Sequence, residues 1–157
     1  MSKKYTLRMN DGIIFEDIPE KICFQSKLLK SIIENTILEN NIINLSTINS
    51  STGKKVLRWM SYHNNVEPPI IKRPLTNLNL NSILKEWDIN YIDVENDFLF
   101  DILNAANYLD IKPLLDLCCL KLASLIKNKK PEQIRQILNI QNDFTPEEEK
   151  ELNYYKK

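Results

Sequence analysis

Tyr5, Leu7 and Met9 alternate with Thr6, Arg8 and Asn10, and Ile13 and Phe15 follow on the far side of Asp11-Gly12. Period-two alternation on both sides of an Asp-Gly pair predicts a β-hairpin, because Gly12 adopts positive φ without steric cost. Beyond Pro19 the period changes. Ile22, Phe24, Leu28, Leu29, Ile32, Ile33 and Ile37 recur at three-to-four spacing, with a helix start expected around Gln25-Ser26-Lys27. Ile42-Ile43-Asn44-Leu45 reads as a third, short strand, and residues 52–63 as a helix burying Val56, Leu57, Trp59 and Met60. Residues 64–82 hold Pro68, Pro69, Pro74 and repeated Asn with weak periodicity, and are expected to form a mobile linker or long loop.

From Lys85 onward the pattern is helical. Leu99, Ile102, Leu103, Ala106 and Leu109 form a single core stripe over residues 97–110. Pro113, Pro131 and Pro146 stand where first helical turns would begin, where a missing N–H costs nothing. Thr145 and Glu148 have capping-box spacing, with Glu147 to Glu149 at the positive end of that helix's dipole. The expected fold class is therefore α+β and mostly helical: three short strands with a helical cluster, then consecutive helices.

Residues 114–126 exceed this economy. Only Asp116, Lys121 and Ser124 are polar there. On a helical wheel Leu114, Leu115, Cys118, Cys119, Leu122, Ala123, Leu125 and Ile126 cover roughly half the circumference, whereas a helix packed on one side needs an apolar stripe of only about 100°. Leu117 and Leu120 fall among the polar positions. Ile134, Ile137, Leu138, Ile140 and Phe144 follow on short helices. Either these helices bury one another, or they leave a shallow groove for an apolar partner segment.

Composition narrows the chemistry. The 157 residues carry 21 basic and 21 acidic groups, so no net charge draws the chain to nucleic acid or anionic lipid. The charge is uneven: residues 1–84 carry 11 basic and 7 acidic groups, a balance of +4, leaving −4 on residues 85–157. Gly12 and Gly53 are the only glycines, so no glycine-rich phosphate cradle exists. Cys23, Cys118 and Cys119 with the single His63 make no zinc-ligand pattern, and adjacent cysteines in an apolar run read as buried thiols of a reducing compartment. No run approaches the roughly 18 apolar residues of a membrane span. A soluble intracellular protein is expected, with the sequons at Asn44 and Asn49 unread.

Catalysis is poorly supplied. His63 sits at a helix end, where cap and surface residues are common, and no serine lies in a nucleophile-elbow pattern. Consecutive Glu147 to Glu149 fan around a helix instead of converging, and the basic cluster from Lys127 to Lys130 lacks interleaved aromatics. No catalytic residue, metal or cofactor is expected.

Several strings carry a resemblance. Residues 104–116, Asn-Ala-Ala-Asn-Tyr-Leu-Asp-Ile-Lys-Pro-Leu-Leu-Asp, are among them, with Asp11-Gly12 and Phe15, Trp87-Asp88, Pro131-Glu132-Gln133-Ile134-Arg135 and residues 139–149. Together and in this order they resemble the S-phase kinase-associated adaptor family, the linker subunit of SCF (cullin–F-box) ubiquitin ligases. The resemblance implies a POZ (BTB)-type domain over residues 1–126, with F-box-binding helices over 127–157. It implies a cullin-contacting face at Phe100, Asn104, Asn107 and Tyr108, with Phe100 an exposed aromatic. It further implies F-box contacts at Leu115, Cys119, Leu122, Ile126, Pro131, Ile134, Leu138, Asn139 and Phe144. Pro146 resembles the position that some protist members hydroxylate and glycosylate, although a first-turn proline explains it equally.

The chain departs from the family pattern in places. Lys130 replaces a usual Thr before Pro131, a lost cap worth about 1 kcal/mol. Asn128 stands near a usual glycine and tolerates the left-handed conformation. The usual acidic insert is replaced by residues 64–82. Tyr154 or Tyr155 stands where many members carry a C-terminal tryptophan, so either a tyrosine substitutes or the clamp is looser. The expected function is a non-catalytic adaptor in cytoplasm and nucleus that bridges a cullin to F-box receptors, with a homodimer when unliganded. The alternative is a self-associating POZ module, structural or regulatory.

Overall fold

The computed structural model describes residues 3–72 and 78–138. Strand β1 (Lys4–Met9) and β2 (Ile14–Pro19) form the antiparallel hairpin, turned through Gly12 at φ 82. A short helix α1 (Glu20–Cys23) and α2 (Lys27–Asn35) then cross over to β3 (Ile42–Leu45), which pairs parallel to β1. The strand order is β2-β1-β3. Alternation sends Tyr5, Leu7, Met9, Ile43 and Leu45 to one buried face, with Leu7 opposite Ile43 and Met9 opposite Leu45.

Helices then follow: α3 (Ser50–Tyr62), α4 (Leu80–Ile83), α5 (Glu86–Ile92), α6 (Asn96–Leu109) and α7 (Lys112–Ile126). Leu29 of α2, Val56 and Met60 of α3 and Leu109 of α6 gather around Leu7, Met9 and Leu45 of that face. Helix α3 buries Val56, Trp59 and Met60, while Leu57 is only half-buried. Gly53 lets α3 close on the sheet, since a Cβ there would stand 2.6 Å from the Met9 sulfur. Helix α6 buries Leu99, Ile102, Ala105, Ala106 and Leu109; Ala105 takes the buried place expected of Leu103, which is half-buried. The chain divides into two compact units, Met1–Ser124 and Leu125–Lys157. Among the described residues the second contains α8 (Pro131–Leu138).

Helix α7 contradicts the helical-wheel expectation. Leu114, Leu117, Cys118 and Leu120 are its buried residues, so the core takes two leucines that fall on the polar side of the wheel. A helix apolar nearly all round has no self-evident inner face, and the neighbouring elements choose one.

Candidate docking faces

Ser26 is the best-anchored residue near the first face. Its buried side chain caps α2 by accepting from Leu29 N–H (3.1 Å) and donates to the Leu109 carbonyl (2.5 Å) at the end of α6. Lys27 N–H donates to the Asp110 carbonyl (3.2 Å). Asp110 ends α6 at φ 55, and Ile111 N–H returns to the Ala106 carbonyl. These bonds hold the last turn of α6 against the start of α2. With the inner stripe in the core, Asn104, Asn107 and Tyr108 are left exposed, Tyr108 at 41%. Phe100 differs from expectation: packing leaves it half-buried.

Two clefts flank Tyr108. One, of about 290 Å³, is lined by Thr47, Ile48, Asn49, Asp101, Asn104 and Ala105 among others. The other, of about 490 Å³, is lined by Lys27, Leu28, Asn107 and Asp110. Tyr108 lines both. The first cleft has a fixed wall. Asn49 Oδ1 accepts from Thr52 N–H (2.9 Å), and the Asp11 carboxylate accepts from the Ser50 hydroxyl (2.6 Å) and its backbone N–H (3.0 Å). The Ser50 hydroxyl, followed by that N–H, holds the Asp11 carboxyl below the usual carboxylate range. Sequence reasoning missed the linings contributed by Ile48, Asn49 and Leu28, because they come from segments far from α6 in the chain.

The second face lies on α7. With the core taking Leu114, Leu117, Cys118 and Leu120, the residues Leu115, Cys119, Leu122 and Ile126 remain half-buried. Their spacing of four, three and four sets them on one side of the helix. In the second unit, Pro131, Ile134 and Leu138 on α8 are likewise half-buried. Pro131 opens α8, and Gln133 Oε1 accepts from Lys130 N–H (3.1 Å), the return half of a capping box that needs no threonine. Asn128 takes φ 60, the left-handed conformation expected of it. Asn139, Phe144 and Pro146 lie outside the described residues.

The thiols and the imidazole are built into the interior. Burial pushes the Cys23 thiol up to about 11 and the Cys118 thiol up to about 12, with Glu20 adding to the first and Cys119 to the second. Cys119 is half-buried. His63 is no surface residue: it caps the C-terminus of α3 and is buried. Its Nε2 lies 2.8 Å from Asp88 Oδ1 on α5, and its Nδ1 lies 2.6 Å from the Val66 carbonyl oxygen. Tyr62 stacks on Trp87 at 3.7 Å beside it. Both ring nitrogens face acceptors, so the imidazole presents no free lone pair to a substrate. Among the described residues, no three His, Cys, Asp or Glu side chains are placed to hold a metal ion. Nor is any described helix long and apolar enough to cross a membrane.

Two family models match the chain: the Skp1 family tetramerisation domain over residues 3–65 and the Skp1 family dimerisation domain over residues 112–154. The chain is 44% identical over 152 residues to the S-phase kinase-associated protein 1 homolog of Tetrahymena thermophila, covering 96% of this chain and 90% of the relative. It is 38% identical to the E3 ubiquitin ligase complex SCF subunit sconC of Talaromyces marneffei, covering 97% of this chain and 94% of the relative. Against the sconC subunit of Emericella nidulans the identity is 39%, with 96% and 92% covered. The two matched family models and the near end-to-end likeness to these relatives agree: the chain belongs to the Skp1 family.

Proposed function

We propose that this protein is a non-catalytic adaptor of an SCF-type ubiquitin ligase, acting in cytoplasm and nucleus and bridging a cullin scaffold to F-box substrate receptors. The carrying observation is the division of α7. The core takes Leu114, Leu117, Cys118 and Leu120, while Leu115, Cys119, Leu122 and Ile126 keep apolar surface on the other side. This second face takes the F-box, and the family resemblance assigns the same partner to Pro131, Ile134 and Leu138 of α8 and to Asn139 and Phe144. The exposed Asn104, Asn107 and Tyr108, with half-buried Phe100, take the cullin. Relatives named as SCF subunits support the assignment.

The mechanism is proximity. A rigid domain with two docking faces fixes the distance between a captured substrate and the catalytic machinery, and supplies no reacting group itself. Buried leucine or isoleucine anchors are worth about 1.5–3 kcal/mol each, so a few should dominate F-box affinity. Replacing Asn107 and Tyr108 together by Ala should abolish cullin capture while the protein stays folded and retains F-box peptides. Leu122→Glu should do the reverse. Loss of both partners in either variant refutes the two-face assignment.

A second reading rests on the matched family descriptions, which speak of dimerisation and tetramerisation. A self-associating module would sediment as a dimer that persists when F-box peptide is added. An adaptor whose homodimer shares the apolar face of α7 would dissociate.

A further inference from the structure

From Glu86 to Ile111 the chain carries seven carboxylates and no lysine or arginine. Asp88 is consumed by His63. The other six, Glu86, Asp93, Glu95, Asp97, Asp101 and Asp110, are exposed, and none forms an ion pair with a described residue. Local helix physics accounts for Glu95 and Asp97, which stand at the positive end of the α6 dipole. It accounts less well for Asp101 and for the C-cap Asp110, whose φ of 55 favours a short polar side chain but does not call for a charged one. Asp101 lies mid-helix, four residues from Asp97, where like charges repel. Asp110 stands at the negative end of the dipole, where a carboxylate is disfavoured. Each lines one of the two clefts astride Tyr108, Asp101 the first and Asp110 the second. Asp97, Asp101, Asn104 and Tyr108 also follow at four, three and four, one continuous exposed stripe. The one cation lining either cleft is Lys27, in the second.

We infer that the partner of the α6 face presents a basic surface, with lysine or arginine side chains reaching Asp101 and Asp110 on either side of Tyr108, and that these carboxylates steer its association. The inference rests on the reading of this face as the cullin site. It adds the charge of the partner and a kinetic role: Tyr108 holds the complex together, while the acidic stripe sets how fast it forms.

The test is stopped-flow association of the full chain with its co-purifying cullin at 20 to 300 mM NaCl. Wild type is compared with Asp101→Asn/Asp110→Asn. Asn tolerates the left-handed conformation of position 110, so the fold is kept, and matching thermal melts verify this. The expected result is an association rate that falls about tenfold or more across the salt range. The double variant should be several-fold slower at low salt, the difference vanishing at high salt with dissociation little changed. Tight binding whose association rate ignores both salt and substitution overturns the inference and leaves the adaptor reading standing. Absence of cullin binding at every salt defeats the adaptor reading, and this inference with it.

Discussion

Leu120 and Leu122 are two residues apart on α7 and chemically identical, yet the structure gives them opposite jobs. Leu120 is fully buried at 0% exposure, whereas Leu122 is half-buried on the other side of the helix. Replacing Leu120 by Ala removes buried methyl groups and leaves a cavity that rigid neighbours fill only partly, a loss of about 2–5 kcal/mol. Leu122→Ala forfeits only part of the transfer energy and leaves no sealed void, because water reaches the site. Its cost should be about 0.5–1 kcal/mol, offset slightly by the better helix propensity of Ala. For a chain of this length each kcal/mol moves the melting temperature by roughly 3 °C. Thermal melts should therefore place Leu120→Ala some 6–15 °C below wild type and Leu122→Ala within about 3 °C of it. Urea titrations at unchanged m-value would confirm that stability has moved and not the denatured state. F-box peptide affinity should rank the other way, nearly intact in folded Leu120→Ala and weakened in Leu122→Ala. Equal melting losses for the two variants would mean that the Leu122 side is core, and the docking face on α7 would be refuted.

His63→Ala should destabilise the protein by about 3–5 kcal/mol, since it strands the Asp88 carboxylate in the interior. Chemical denaturation of His63→Ala beside His63→Ala/Asp88→Ala checks this: the double variant should recover part of the loss, and no recovery would mean that the pair is not coupled. Maleimide labelling at pH 8 should modify Cys119 first. Cys118, pushed up to about 12, keeps a thiolate fraction of only about 10⁻⁴ at that pH, and Cys23, at about 11, is similarly inert. F-box peptide should protect Cys119, and labelling of Cys118 at a similar rate would contradict its burial.

The elements governed by local chemistry were legible from residue order. Alternation around Asp11-Gly12 gave the hairpin, Ser26 the start of α2, and Pro131 the start of α8. Positive φ at Asn128 followed from the tolerance of asparagine. The outward setting of Asn104 and Asn107 was readable because α6 has one strong apolar stripe that fixes its orientation, while Tyr108 was singled out by the family resemblance. His63 was not legible in this way. Its partner Asp88 lies 25 positions away, and no period or spacing announces that pairing.

Sequence by itself determined the hairpin, most of the helices, the family and the amount of apolar surface on α7, because these depend on neighbours within a turn or a strand pair. The helical turn Leu80–Ile83, at the end of the expected linker, was missed. Tertiary structure alone decided which side of α7 became core, burying Leu117 and Leu120 and sparing Leu115, Cys119, Leu122 and Ile126. On a helix apolar nearly all round, hydrophobicity cannot break the tie. Only the shape of the surface on which it lands does so, and that surface is assembled from residues scattered along the chain.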